Sequence, residues 1–357
     1  MYSRSIPEPD SEDLVPANVV HHFLLAVCTH PGSGICFADS GWYPRQDGET
    51  SHGSESSGRV YNKILANVLK MLKVNDDSRQ QALALRILDS CPELSASYLK
   101  LIGLALEPRI SNKWLTSVAF LGAAVSTRVP NECFYIRKSD MNSPMTSEER
   151  LYKPTPPPFL TIIDNIVPTT NMKTVFSKAL LLPNILMQHV SALCLVRCLR
   201  KYESICERFR LIGDALGENG NEGQWIRRSA EVRNELRRRI PEFQVIIAFA
   251  NSCKSESNSP TKLVMLSEIS QRLVLLYQRV VPSLYAEARY DIGKSLQIIE
   301  EPKDSATVSS HSQGLYVLQE IHVLRMIKEG NQFIWPPRAG RKSLLFYTCH
   351  FLLISGV

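Results

Sequence analysis

The sequence predicts an all-α protein, a HEAT/armadillo-like α-α superhelical solenoid interrupted by long loops. Three observations predict it. Apolar residues recur at the three-and-four spacing of one helix face along most of the chain, and strict alternation over a strand length is hard to find. Roughly a dozen helical segments follow one another with short breaks, in pairs of about 40 residues, the range of HEAT and armadillo units. No unit aligns with the next by identity, so the periodicity is structural only.

Taken in chain order, the first stripe is Tyr61, Ile64, Leu65, Val68 and Leu72. Ala84, Ile87, Leu88 and Cys91 form the second. Pro92 ends that helix because it lacks an amide hydrogen, and it can open the next for the same reason. Trp114, Val118, Leu121 and Val125 follow, with Ser111 or Asn112 as N-cap. The stretch from Pro183 to Tyr202 is apolar nearly all round, through Leu186, Met187, Val190, Leu193, Cys194, Leu195, Val196, Cys198 and Leu199. Such a helix has to be covered on several sides, as an inner helix of a repeat array or the central helix of a bundle would be. Leu266, Ile269, Leu273, Leu276, Tyr277 and Val280 make the cleanest stripe.

These segments divide the chain. Residues 1–13, polar and acidic, are expected to be a disordered N-terminus and are unlike a signal peptide. Residues 14–127 read as N-terminal helical repeats carrying a Gly-, Ser- and charge-rich loop at 29–58. Residues 128–158 form a loop or linker, stiffened by Pro154, Pro156, Pro157 and Pro158. Residues 159–299 are central helical repeats with a polar break at Ser252–Ser259, 300–312 a flexible loop, and 313–357 C-terminal helices cut short. The apolar run Ser343–Val357 contains Thr348, Cys349 and His350 and falls short of the roughly 20 apolar residues of a membrane span. No membrane partner is expected.

Composition narrows the chemistry. With 357 residues, 44% of them hydrophobic and 21% charged, the chain can bury a sizeable core. The net charge of +6 fits an RNA-associated protein, but only as a weak signal. None of the nine cysteines forms a C-x-x-C pair, so they read as buried free thiols in a reducing compartment and not as zinc ligands. Ala339-Gly340-Arg341-Lys342-Ser343 resembles a phosphate-binding loop, but Arg341 interrupts the Gly-Lys step and Trp335 stands where the leading glycine belongs. Gly213, Gly217, Gly220 and Gly223 follow no strand and read as a helix end and turn. His21, His22 and His189 have no Glu or second His at metal-binding spacing. No cofactor, small-molecule substrate or enzymatic activity is expected.

Two stretches stand out as candidate sites. On a helix, Trp225, Val232, Leu236 and Ile240 gather on one side and leave Arg227, Arg228, Arg233, Arg237, Arg238 and Arg239 flanking or opposite it. Guanidinium groups pair with phosphate oxygens, which makes Arg227, Arg228, Arg237 and Arg238 candidate RNA contacts. The plain alternative is a solvated face partly neutralised by Glu231 and Glu235, for instance through Glu235 with Arg239. The second stretch, Cys36 to Arg45, carries Phe37, Trp42 and Tyr43 in a polar loop. Those rings either anchor the loop on the helices, with Gly41 permitting the turn, or dock a partner or RNA base, with Arg45 reaching a phosphate. Both roles can coexist.

The segment "ICFADSGWYPR" resembles the C-F-x-D-x-GWYPR signature of the nucleolar pre-ribosomal-associated protein 1 family. "LRILDSCPELSASYL" with "LEPRISNKWLTSVAFLGAAVS", and "SKALLLPNILMQHVSALCLVRCLRKY", are similar to the same family. The similarity lies between about Ile35 and Tyr202 and continues weakly into "NQFIW". The resemblance implies a large, non-enzymatic scaffold of the nucleolus, within the nucleus, acting in early 60S subunit assembly and pre-rRNA processing. It also implies pre-60S partners, among them a companion nucleolar scaffold and a DEAD-box RNA helicase, close to pre-rRNA and small nucleolar ribonucleoproteins. The chain is far shorter than members of that family and so reads as a fragment. The rival reading is a generic HEAT-type adaptor that binds protein partners only, without RNA.

Overall fold

The computed structural model describes residues 15–32, 34–44, 60–136, 151–218, 223–253, 260–288, 290, 292 and 310–330. The expectations for 1–13, for Arg45 and most of the 29–58 loop, for 300–309 and for 331–357 lie outside them. So do those for Ala339–Ser343 and "NQFIW". Among the described residues the protein is all-α. Its one β feature is an isolated antiparallel bridge between Tyr135 and Tyr152.

The helices are α1 (Pro16–Thr29), α2 (Lys63–Met71), α3 (Ser78–Ser90), α4 (Ser95–Leu101), α5 (Asn112–Val125), α6 (Phe159–Ile166), α7 (Met172–Leu181) and α8 (Ile185–Ala215). They continue with α9 (Gln224–Arg239), α10 (Phe243–Ser252), α11 (Pro260–Val280), α12 (Pro282–Glu287) and α13 (Ser310–Glu329). The chain forms two compact units that do not follow chain order. The first comprises Met1–Phe176 with Arg197–Ile240, the second Ser177–Val196 with Pro241–Val357.

In the first unit, helices α1 to α6 pack on the next but one, and α6 packs further on. α1 lies on α3 and α3 on α5, while α2 lies on α4, α4 on α6, and α6 on α9. The predicted stripes supply the buried faces. Ala84, Ile87, Leu88 and Cys91 are fully buried, as are Trp114, Val118, Leu121 and Val125. Ser111 is the α5 cap, its hydroxyl oxygen accepting from the Trp114 amide at 3.2 Å. Pro92 closes α3 and opens a 3-10 turn, Pro92–Leu94, that leads into α4. One register differs from the sequence reading: α2 buries Leu65 and Leu69, and Ile64 is exposed. The chain enters α2 from Asn62, whose side chain is held elsewhere, and that contact fixes the rotation of the helix.

Asp77 caps α3, its carboxylate accepting from the Arg79 amide at 2.7 Å and the Gln80 amide at 3.4 Å. These bonds, the Arg79 amide first, hold its pKa below the ordinary carboxylate range. A lowered carboxylate pKa gives stability that is present above the unfolded value and is lost as pH falls through the folded one. Amide exchange at Arg79 and Gln80 should therefore accelerate on acidification relative to the α3 centre. Asp77→Asn should abolish that pH step, and a step that persists in the variant would show that another group causes it.

The second unit is built on α11, which touches α10, α12 and α13. Leu266, Ile269, Leu273, Leu276, Tyr277 and Val280 are all buried there, as the periodicity predicts. Gln319 donates to the Val264 carbonyl at 3.0 Å, His322 meets Glu268 at 3.0 Å, and Gln278 donates to the Met326 carbonyl at 3.0 Å. These contacts climb both helices together, so α11 and α13 run parallel with an offset of about 50 residues. A short hairpin cannot join parallel helices, which accounts for the long connection between them. Glu268 is buried but stays ionised. Burial pushes its pKa up, and hydrogen bonds from His322 and Arg272 more than offset that.

Candidate functional site

The signature loop is pinned at Cys36, Phe37, Asp39, Gly41, Trp42 and Tyr43. Cys36 lies sulfur to sulfur with Cys91 at 3.5 Å in a fully buried contact. Phe37 exchanges two hydrogen bonds with Asn62: its amide donates to Oδ1 at 2.8 Å, and its carbonyl accepts from Nδ2 at 2.9 Å. Glu93 in turn accepts from the amides of Tyr61 and Asn62. Asp39 accepts from the Gly41 amide at 2.8 Å and the Glu93 amide at 3.3 Å. Gly41 has φ of 63°, and a Cβ there would stand 2.5 Å from the Cys133 Cβ. Both the left-handed backbone and the missing space demand glycine.

Trp42 is 2% exposed and packs edge-on against Phe134, with ring centroids 6.1 Å apart. Phe134, Phe209 and Trp225 complete the cluster at 5.0–6.0 Å. The Tyr43 hydroxyl donates to the Thr155 carbonyl at 2.7 Å, and Lys153 Nζ sits 3.9 Å from its ring centre. Burial raises the Tyr43 pKa, so the phenol remains a donor. Of the candidate docking side chains described, Phe37 alone presents its ring to solvent, at 52% exposure.

The arginines of α9 have separate fates. Arg239 is buried, bonding Asp164 at 2.9 Å, the Val167 carbonyl at 2.9 Å and Glu235 at 2.9 Å. The last is the pair its spacing predicts, but Arg239 lies inside and not on the solvated face. Arg228 is half-buried, donating to the Pro157 carbonyl and lying 2.9 Å from Glu231. Arg227 and Arg238 are exposed and Arg237 half-exposed, with Glu235 3.6 Å from Arg238.

A second basic surface escaped the sequence reading. A cleft of about 1280 Å³ beside Gly41 is lined by Arg128, Lys153, Arg197, Arg200, Lys201 and Arg208. The last four lie on α8, at positions that fall within roughly a 100° arc of a helix with 3.6 residues per turn. Lys201 forms the floor. It donates to the Thr127 carbonyl and lies 5.9 Å from the Trp42 ring centre, and burial lowers its pKa to about 8. Three carboxylates, Asp39, Asp89 and Glu132, also line the cleft, and partners hold the first two. Asp89 pairs with Arg128 at 2.9 Å, and Asp39 holds the two amides of the loop. The α8 spacing is the signal that could have found this face.

Among the described residues there is no group of three or more His, Cys, Asp and Glu placed to hold a metal ion. No helix there is long and apolar enough to cross a membrane. Burial pushes the Cys133 thiol up to about 12, which leaves it protonated and unreactive near neutral pH.

Fold and surface thus define an all-α protein with two basic faces and a rigidly pinned aromatic loop. Comparison with known proteins adds a similarity. Residues 1–117 match the family model Npa1, described as ribosome 60S biogenesis N-terminal. Three proteins named nucleolar pre-ribosomal-associated protein 1 are similar to most of the chain. The Mus musculus protein is 26% identical over 92% of it, the Homo sapiens protein 23% over 89%, and the Saccharomyces cerevisiae protein 21% over 74%. The resemblance read from the signature loop is therefore shown by similarity along the chain. The chain spans 14% of the length of each of these relatives. No solved structure matches it.

Proposed function

We propose that the protein is a non-enzymatic helical scaffold of the nucleolus, in the nucleus, that acts in early 60S subunit assembly and holds protein partners and pre-rRNA. One observation carries the reading: the similarity to nucleolar pre-ribosomal-associated proteins, with a 60S biogenesis family model matched over its first third. Next-but-one packing from α1 to α6 supports a two-layer solenoid, because equivalent helices of successive repeats meet in that way. The parallel pairing of α11 with α13 supports it too. On this reading Phe37, held by Asn62 with its ring outward, is the docking group of the signature loop. Trp42 and Tyr43 fix its position, and Arg45, two residues on in the sequence, is the candidate phosphate contact. Partners are pre-60S factors, including a companion nucleolar scaffold and a DEAD-box RNA helicase, near small nucleolar ribonucleoproteins.

RNA contact on α9 falls to Arg227, Arg237 and Arg238, while Arg228 positions the chain at Pro157. Affinity purification of the tagged chain with sequencing of crosslinked RNA tests both halves. Reversing Arg227, Arg237 and Arg238 to Glu, with Arg228 left to hold Pro157, should reduce crosslinked pre-rRNA severalfold while pre-60S proteins are still recovered. Unchanged crosslinking removes α9 from the interface. Recovery of protein partners with no RNA in the wild type favours the rival, a HEAT-type adaptor.

A further inference from the structure

We propose that the cleft between α8 and the signature loop binds the backbone of single-stranded RNA, a site separate from the α9 face. The inference rests on the reading that the protein handles pre-rRNA and adds where and how a strand is held.

Six cations and three carboxylates line the cleft. Arg128 is committed to Asp89, Lys153 to the Tyr43 ring and Lys201 to the Thr127 carbonyl. Arg197, Arg200 and Arg208 remain on one face of α8, and no ion pair to any of them is formed among the described residues. From Arg197 to Arg208 the helix rises roughly 16 Å at 1.5 Å per residue. That length spans several backbone phosphates of one strand. The three guanidinium groups stand on a rigid helix whose opposite side is buried, so they are presented without the ordering cost of a flexible arm.

Another part of the lining supplies the feature that separates RNA from an acidic peptide. Tyr135 lines the cleft and stacks on Tyr152, with ring centroids 4.6 Å apart and an interplanar angle of 21°. The isolated bridge locks this pair, the Ile136 amide donating to the Leu151 carbonyl at 2.9 Å and the Lys153 amide to the Phe134 carbonyl at 2.8 Å. The two rings are half-exposed, and Arg208 is near enough to act electrostatically on the Tyr135 hydroxyl. A basic track beside a fixed aromatic platform is the arrangement by which single strands are held, with phosphates on the arginines and a base on the ring. A carboxylate-rich peptide has nothing to place on the tyrosines.

The test uses the full chain and fluorescence anisotropy of a short fluorescein-labelled oligouridylate. Three phosphate contacts predict a salt slope of about −2, hence roughly a 20-fold loss of affinity between 50 and 200 mM salt. R197Q/R200Q/R208Q should bind at least about tenfold more weakly with a nearly flat slope, since each lost contact lowers the slope by about one. Its circular dichroism should match the wild type and its Tm should change little, because Arg200 is exposed and Arg197 and Arg208 are only partly covered. Tyr135→Ser should weaken oligouridylate severalfold and leave the slope unchanged. Equal binding by the triple variant and the wild type overturns the cleft and leaves the α9 reading standing. Displacement of the RNA by polyglutamate at matched charge also overturns it, in favour of an acidic protein partner. A wild-type chain that binds no oligouridylate overturns the cleft and takes the RNA part of the scaffold reading with it.

Discussion

Asp164→Ala is expected to destabilise the first unit by about 3 kcal/mol, the lower end of the range for removing one partner of a buried ion pair. Asp164 on α6 is buried and meets cations from two other helices, Lys100 of α4 at 2.5 Å and Arg239 of α9 at 2.9 Å. Lys100 is half-exposed and can turn to water when the carboxylate is gone. Arg239 cannot, because its side chain is 8% exposed. Its remaining partners, Glu235 and the Val167 carbonyl, temper the penalty without removing it. A double variant distinguishes a lost attraction from a stranded charge. Asp164→Leu combined with Arg239→Met should be far milder than either single change, because it removes the charge along with its partner. Tryptophan fluorescence in urea can follow the unit, since Trp42, Trp114 and Trp225 all lie within it. A loss below about 1 kcal/mol for Asp164→Ala would mean that water reaches the pair in solution.

The helical class and several buried faces were legible in the sequence because they are local. The stripe from Leu266 to Val280 needs only the helix period, and the Ser111 cap needs only a hydroxyl before an apolar run. What failed depended on distant partners. The rotation of α2, which exposes Ile64, follows from Asn62 bonding Phe37, 25 residues earlier. The signature loop was visible as unusual, but its logic was not. Its partners Asn62, Glu93, Cys133 and Thr155 are scattered over the first half of the chain, and no spacing rule joins them. Arg239 looked like its neighbours on α9, and only the placement of Asp164 75 residues away makes it internal. On α8 the error was one of emphasis. A helix apolar nearly all round draws attention to its core, and the narrow arc holding Arg197, Arg200, Lys201 and Arg208 was passed over.

Trp42→Ala should cost about 3–5 kcal/mol, as for other large aromatic truncations in a close-packed core. The indole closes one side of a cluster whose other rings come from three separate segments: Phe134 from a 3-10 turn, Phe209 from α8 and Trp225 from α9. Trp225 also donates to the Lys153 carbonyl at 3.1 Å, next to the isolated bridge that carries Tyr152. Loss of the Trp42 ring therefore loosens the loop, the cleft floor under Lys201 and the support of the tyrosine platform together. Binding defects in Trp42→Ala would report that collapse and not a lost contact with a partner. Phe37→Ala is the clean probe of docking, since its ring is half in solvent and its backbone bonds to Asn62 survive the change. The expected pattern is a large fall in stability for Trp42→Ala, little for Phe37→Ala, and weaker recovery of pre-60S proteins with Phe37→Ala at full folding. Thermal unfolding paired with affinity purification reads both. Wild-type stability in Trp42→Ala would place the indole at the surface in solution and return it to the docking face. Undiminished partner recovery with Phe37→Ala would leave the signature loop a purely internal clamp.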